Sequence, residues 1–473
     1  MTREKVGSVL VVGGGVGGVQ AALDMADSGF KVYLVDRFPS IGGTMAQLDK
    51  TFPTNDCSMC ILAPKLVTAG RHHNIELICN ADLEDLKGEP GSFTATIVKH
   101  HPFVDEKICT GCGICSEHCP IEVPNSFDEN MAPRKAIYAP FPQAVPLVYT
   151  IDKGACIGCG KCKSVCNAGA ISFERDEEEI REVNVGAVVL STGFEEFEAF
   201  RKREYGYGVY PNVITSIEFE RMLSASGPTG GHLIRPSDGD IPQRIAFIQC
   251  VGSRDEKVGN NYCSSICCMA ALKEAAVACE HEHGLECTIF FMDVRAFGKE
   301  FEEYAQRVER EYGVRVIRNN RIPHVNEDPS SNNLIIRYHE KAEILEDEFD
   351  LVILSVGKRP SKKAQELCRR LGVKLNKHGF VETRQFYPVD TSVPGIFASG
   401  AFTGPKDIPD TVAQSSGVAS RVGALLNEVR GTEVQPMAYP EEKNVVGQEP
   451  RIGVFVCHCG INIGGVVDVP AVV

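Results

Sequence analysis

Val9-Leu10-Val11-Val12-Gly13-Gly14-Gly15-Val16-Gly17-Gly18 decides the fold of this chain. Its four leading apolar residues read as a buried strand, Gly13-x-Gly15-x-x-Gly18 as the turn after it, and Val19 to Ser28 as an apolar-periodic helix. A second strand, Lys31 to Val35, ends in Asp36-Arg37. A lone glycine motif is weak, but strand, glycines, helix, strand and an acidic residue in this order form a dinucleotide-binding unit. The glycines let the backbone and the helix N-terminus approach a pyrophosphate, and Asp36 is placed for ribose hydroxyls.

Further along, Cys109, Cys112, Cys115 and Cys119-Pro120 are answered by Cys156, Cys159, Cys162 and Cys166. Two such runs are the ligand pattern of two [4Fe-4S] clusters, in which the fourth cysteine of each run ligates the cluster held mainly by the other. Zinc knuckles and accidental thiols explain one Cys-x-x-Cys, not eight cysteines in a doubled spacing. The runs fall inside the first nucleotide-binding unit. A ferredoxin-type module over residues 101–174 is therefore expected to interrupt it, as exposed loops allow when the ends are close.

The 473 residues, 43% hydrophobic and 24% charged, leave room for several globular domains. The Val9 to Val12 run is far shorter than a membrane span, and no Arg-rich leader or cleavage site precedes it, so no membrane or export signal is expected. A net charge of -14 argues against nucleic acid. Cysteines in metal-ligand spacing need thiolates, which points to a reducing compartment, the cytoplasm of an anaerobe. Lys153, Lys161 and Lys163 form a local basic patch, either a guide for an acidic redox partner or solvated surface.

Arg244 to Ile248 opens a second nucleotide-binding domain but runs into Gln249-Cys250-Val251-Gly252-Ser253-Arg254, where no glycine fingerprint remains. Cys263, Cys267 and Cys268 follow at the mouth of an Ala-rich helix, Met269 to Ala278. Cys263 and Cys267 share one helix face if the helix starts early, and a helix N-terminus favours an anionic cluster; buried structural thiols are the competing reading. Cys57 and Cys60 read as a redox dithiol, as structural thiols or, with Cys457 and Cys459, as ligands of a fourth cluster. Cys79, Cys279, Cys287 and Cys368 have no partner spacing. Pro140 to Pro146 reads as a surface loop, Pro436 to Glu449 as a linker, and Gly453 to Val456 as a strand leading into Cys457-His458-Cys459.

Gly42-Gly43-Thr44, residues 185–193, residues 351–357 and residues 395–400 resemble motifs of the thioredoxin reductase and glutathione reductase superfamily over roughly residues 5–430. That resemblance implies FAD, held by Gly13, Gly15, Gly18, Asp36, Arg37, Gly42, Gly43, Thr44, Gly193, Gly400 and Ala401. Ala401 stands where the superfamily usually has an acidic residue, so ribityl recognition differs in detail. Lys406 lies just downstream, where a cation would favour an anionic reduced flavin; a surface lysine is the plainer reading.

The strings TFPTNDCSMCILAPK (residues 51–65), CVGSRD (250–255), YCSSICCM (262–269) and GPKDIPDTVAQSS (404–416) resemble the heterodisulfide reductase A-subunit family. By that resemblance Cys250, Cys263, Cys267 and Cys268 ligate a third [4Fe-4S] cluster, and the tail opens a small iron-sulfur domain that is cut short. The implied protein is a cytoplasmic FAD and iron-sulfur oxidoreductase subunit that bifurcates electrons at its flavin. Its implied partners are ferredoxin, a hydrogenase- or formate-dehydrogenase-linked donor and disulfide-reducing subunits, in a hetero-oligomer. Lys406, Cys57 and Cys60 are its catalytic candidates.

The expected fold is α/β, a two-dinucleotide-binding-domain flavoprotein of thioredoxin reductase type with an inserted α+β ferredoxin domain. FAD-binding segments fall at 1–100, 175–240 and 361–432, a second Rossmann-like domain at 241–360, a linker at 433–450 and the truncated domain at 451–473. Two rivals remain: a stand-alone NAD(P)H-dependent disulfide or ferredoxin reductase using Cys57 and Cys60, and a non-catalytic electron wire or scaffold.

Overall fold

Strand Ser8–Val12 is buried along its whole length, so both its faces need cover, which a parallel sheet flanked by helices provides. The computed structural model, which describes all residues except 1–3, 102, 175–177, 320, 341–342, 437–439, 459–462 and 465, shows that arrangement twice. One sheet runs Ile396–Ala398, Ala187–Leu190, Ser8–Val12, Lys31–Val35, Ile75–Ile78, all parallel. The other runs Val213–Thr215, Leu351–Val356, Arg244–Val251, Glu286–Phe291, Arg315–Arg318, again all parallel. Each carries a three-stranded antiparallel companion sheet, Ala81–Glu89, Ser92–Lys99 and Glu179–Val185 in the first half and Val325–Glu327, Leu334–Glu340 and Glu343–Phe349 in the second. Among the described residues no helix is long and apolar enough to cross a membrane.

The companion sheet of the first half explains how a module can sit inside a nucleotide-binding domain. Ser92–Lys99 pairs with Glu179–Val185, and Lys99 stands opposite Glu179. The strand leading into the insertion and the strand leading out are neighbours, so the insertion costs the sheet no register. A bridge between Val104 and Ile171 continues the pairing into the module. Its core is small: Val104, Ile137, Val148, Ile151, Ala170 and Ile171 pack around buried Cys115 and Cys162, with Cys109, Cys119, Cys156 and Cys166 against them. So few aliphatic residues stabilise little on their own, and small domains of this kind normally lean on bound metal.

Arg221 pins the module to the rest of the chain. Its side chain is 1% exposed on helix Ser216–Leu223, which starts from a Thr215–Glu218 capping box. Its guanidinium donates to Asp128 Oδ1 of the module (2.9 Å), to the Gln47 carbonyl of the first sheet's domain (3.1 Å) and to the Ser226 carbonyl (3.1 Å), and it lies over the Phe127 ring.

Three sequence expectations need correction. The stretch from Pro140 to Pro146 is a loop exposed only at Pro142 and Gln143: Phe141 and Ala144 belong to the main core, Phe141 stacks on Phe127, and the Ile41 N–H donates to the Val145 carbonyl. Prolines on either side give a turn signal that masks these apolar side chains. The expected strand at Gly453 to Val456 does not form; no partner strand pairs with it among the described residues, and Phe455 is 98% exposed. Helix Cys267–His281 starts at Cys267, leaving Cys263 in the preceding loop rather than on the helix face.

Candidate functional site

A cavity of about 1320 Å³ opens at the C-terminal ends of the first sheet's strands and reaches across to the second sheet. Helix Val16–Asp27 presents its N-terminus there, and that end has no side-chain cap and no acidic residue in its first turn. Its unpaired N–H groups are a ready anion site. Gly13 holds φ 106°, a conformation that suits glycine, and Gly18 is required for packing, since a Cβ there would stand 1.8 Å from the Gly13 carbonyl oxygen. Gly15 faces the opposite way: a Cβ would find only Gly43 Cα, at 3.9 Å. The two glycine motifs meet through a Gly15–Gly42 bridge and the Gly42 N–H to Gly14 carbonyl bond of 2.8 Å. Backbone bared on both sides fits a pyrophosphate, and the cavity exceeds the size usual for small ligands, as an extended dinucleotide needs.

Gly13, Gly15, Asp36, Arg37, Gly43, Thr44, Gly193, Gly400, Ala401 and Lys406 line this cavity, while Gly18 and Gly42 stand behind it as packing positions. Asp36 is 8% exposed; burial raises its carboxyl while N–H bonds from Phe38 (2.8 Å) and Gly14 (2.5 Å) oppose the shift. Lys406 donates to Thr403 Oγ1 (2.5 Å) and Gln414 Oε1 (2.7 Å), and burial brings its amine down to about 8.

The far wall of the cavity holds charges that sequence reasoning missed. Lys273 pairs with Glu220, and both are almost fully buried. Glu274 accepts from Ser216 Oγ at 2.6 Å, but its Oε2 has no hydrogen-bond partner among the described residues. Burial, helped by the Glu220 charge, holds its carboxyl well above the ordinary range. Asp49, whose N–H donates to Glu220 Oε2 (3.1 Å), is pushed by burial up to about 6. The available signal was Lys273-Glu274 set inside an otherwise Ala-rich helix, too polar for a buried face without a task.

In the second sheet, strand Arg244–Val251 slips register against Leu351–Val356 between Ile248 and Val251, and Cys250 sits at φ 64° in the bulge. Arg321 holds this turn by donating to the carbonyls of Cys250, Ser253 and Arg254. Burial raises Cys267, opposed by Lys358, and the charges of Cys250, Cys268 and Cys263 push the same way as burial, so the four thiols lie within electrostatic reach of one another. Burial pushes Cys268 up to about 12, with Cys250, Cys263 and Asp293 adding to it and a backbone hydrogen bond from Arg295 opposing it. Thiolates are the donors an iron-sulfur cluster takes, so the chemistry of this set fits one. Cys267 also lines the large cavity.

The module's thiols are crossed between runs. Burial raises Cys162, and the thiols acting on it are Cys156, Cys119 and Cys159; those acting on Cys115, itself pushed by burial up to about 12, are Cys109, Cys112 and Cys162. Cys119, Cys156, Cys159 and Cys162 surround one small cavity. Cys57 caps helix Ser58–Arg71, receiving the Cys60 N–H at 3.4 Å, and the flavin cavity takes in Ile61 but neither of these cysteines. Cys459, and with it the grouping of Cys57, Cys60, Cys457 and Cys459, lies outside the described residues. Cys279 and Cys287, which lacked a motif, meet at Sγ–Sγ 3.9 Å.

Residues 8–58 match the FAD dependent oxidoreductase family, 108–171 the 4Fe-4S dicluster domain and 258–420 the pyridine nucleotide-disulphide oxidoreductase family. The iron-sulfur A-subunit of the CoB–CoM heterodisulfide reductase of Methanocaldococcus jannaschii is 53% identical over 88% of this chain, which covers 64% of that protein. The A-subunit of the H(2)/formate:CoB-CoM heterodisulfide,ferredoxin reductase of Methanococcus maripaludis is 52% identical over 89%, again with 64% covered. One of the iron-sulfur A-subunits of the Methanopyrus kandleri CoB–CoM heterodisulfide reductase is 52% identical over 93%, with 67% covered. The chain thus spans about two thirds of the length of these curated relatives. Among solved structures, thioredoxin reductases of T. acidophilum and Lactococcus lactis superpose with TM-scores of 0.50 over 89% of this chain and 99% of theirs, at 14% and 13% identity, which speaks for the fold alone.

Proposed function

Because the chain belongs to the heterodisulfide reductase A-subunit family, we propose that it is the FAD- and iron-sulfur-bearing electron-transfer subunit of a heterodisulfide-reductase-like complex, and the one that bifurcates electrons. In this reading it stands between a partner donor, ferredoxin and a disulfide-reducing subunit. The observation that carries the proposal is Cys267, which belongs to a four-thiol set in the second domain and lines the flavin cavity of the first.

FAD bound in the cavity would supply a centre that takes electrons in pairs and releases them singly, and the clusters would supply one-electron relays. Helix Val16–Asp27 would direct its N–H groups at the pyrophosphate, and Asp36 would orient the ribose. Lys406, held between Thr403 and Gln414, offers a proton or a positive charge to the cavity. Glu274, its carboxyl raised by burial, stands in the wall opposite beside the Lys273–Glu220 pair. Cys250, Cys263, Cys267 and Cys268 would hold the third cluster.

Anaerobically purified protein should carry FAD and about twelve irons, three clusters' worth. Its flavin should stay yellow on mixing with NADPH. Rapid bleaching by NADPH would instead support a self-contained reductase.

A further inference from the structure

Apart from the large cavity and the cysteine sets around it, two thiols that share no motif meet in the second domain. We propose that Cys279 and Cys287 form a redox-active pair, which a small-molecule disulfide oxidises to an intramolecular disulfide that latches helix Cys267–His281 to strand Glu286–Phe291. Neither flavin nor cluster takes part in that exchange.

Cys279 stands in the last turn of the helix and Cys287 at the second position of the strand, with a short loop between them. Their sulfurs lie 3.9 Å apart, and the Cys279 thiol also donates to the Leu285 carbonyl at 3.7 Å. Forming a disulfide asks the sulfurs to approach by roughly 2 Å, within the swing of two side-chain torsions. At the other end of the helix, the Cys268 thiol donates to the Asp293 carbonyl just past the same strand, at 3.8 Å. Helix and strand therefore already touch at one end, and the new bond would fix the opposite one.

The two thiols are not equivalent. Cys287 is 2% exposed, whereas Cys279 is half-buried and followed by exposed Glu280. Attack on a reagent from solvent therefore falls to Cys279. The hydrogen bond from Cys287 steadies a thiolate there and brings the Cys279 thiol below its ordinary value, against burial and the Glu280 charge. That same bond, and burial after it, raise Cys287. Cys79 and Cys368, the other cysteines without a motif, are simply buried, and burial raises both. A half-exposed, more acidic thiol against a buried second one is the arrangement of an attacking and a resolving cysteine.

The exchange balances without a further reagent. The Cys279 thiolate attacks one sulfur of the small disulfide, breaking its S–S bond, forming a mixed disulfide and releasing one small thiolate. Cys287 gives its proton to that thiolate and attacks Cys279 Sγ, which forms the internal bond and releases the second small thiolate, protonated from solvent. Two electrons have passed from the protein thiols to the reagent, now two small thiols.

The test exposes the anaerobically purified full chain to bis(2-hydroxyethyl) disulfide, followed by iodoacetamide and trypsin. Residues 274–295 form one tryptic peptide that holds both cysteines. It should be two hydrogens lighter, refuse alkylation, and take two alkyl groups once dithiothreitol has reduced it. In Cys287→Ser the peptide should instead carry one hydroxyethylthio group, trapped on Cys279. In Cys279→Ser, Cys287 should stay unmodified. The oxidised parent should melt a few degrees above its reduced form, a rise that Cys287→Ser lacks. A parent peptide alkylated at both cysteines, Cys287 taking up the small thiol in Cys279→Ser at the parent's rate, or an unchanged melting temperature in the oxidised parent overturns the proposal.

Discussion

The two parallel sheets have the same plan and opposite chemistry. In each, the first strand lies between the closing strand and the second strand: Ser8–Val12 between Ala187–Leu190 and Lys31–Val35, Arg244–Val251 between Leu351–Val356 and Glu286–Phe291. In the first, residues 13–15 alone join strand to helix, and glycines bring bare backbone to the ligand. In the second, residues 252–266 intervene, the strand end bulges, and Cys250, Arg254 and Ser265 adopt positive φ. The fold supplies a strand end aimed at a cleft, and in the proposed reading the residues in the connection choose between a pyrophosphate and a metal cluster.

The largest expected effects fall on those two connections. Gly18→Val would drive a side chain into the Gly13 carbonyl, costing about 3 kcal/mol or more and abolishing FAD retention, read by flavin content and thermal melting. Its counterpart, Cys268→Ala, should remove about four irons per chain while FAD stays bound. A Cys268→Ala protein that kept its iron and lost its flavin would break the comparison.

Next comes the clamp between the halves. Arg221→Ala strands Asp128 and two carbonyls without their donor and should cost about 3 kcal/mol in urea unfolding. Arg221→Lys should recover little, because an ammonium cannot span three acceptors in a fixed plane. Full recovery would show that charge alone, not the fork, holds the module.

Much of this is legible in the sequence. The glycine fingerprint and the cysteine runs are local patterns whose spacing is their chemistry, so Gly13, Gly15, Asp36 and the crossed cysteines can be read directly. Arg221, Glu220 and Lys273 cannot. Their partners lie far away in sequence, and a buried charge looks like a solvated one until its neighbours are known. Cys279 and Cys287 meet because a helix end crosses a strand, which no motif encodes. Phe141 is hidden by flanking prolines, and Cys263 stays off the helix because the helix begins at Cys267, two residues before the Met269 its apolar pattern marks but not early enough to take in Cys263.

A smaller effect should come from the charged wall between the sheets. Burial raises Asp49 from 3.8 to about 6, so the native state holds that proton more tightly than the unfolded chain does. This contribution is full below the unfolded value and is lost as pH rises through the folded one. Asp49→Asn should therefore lose about 2 kcal/mol less stability than the parent between about pH 4 and pH 7, in denaturant titrations across that range. Parallel curves would mean that Lys273 already neutralises the site. The smallest shift is expected at Lys406, where Lys406→Met removes a cation from the flavin side alone. The flavin midpoint should fall by about 30 mV in a spectroelectrochemical titration, with the clusters unmoved.

The account turns on what occupies the second strand end. Crystals of anaerobically prepared protein, with anomalous differences collected at the iron edge, should show iron at three places, one of them enclosed by Cys250, Cys263, Cys267 and Cys268. Nicotinamide dinucleotide seated against Gln249 and Val251, with no iron among those four thiols, would contradict it.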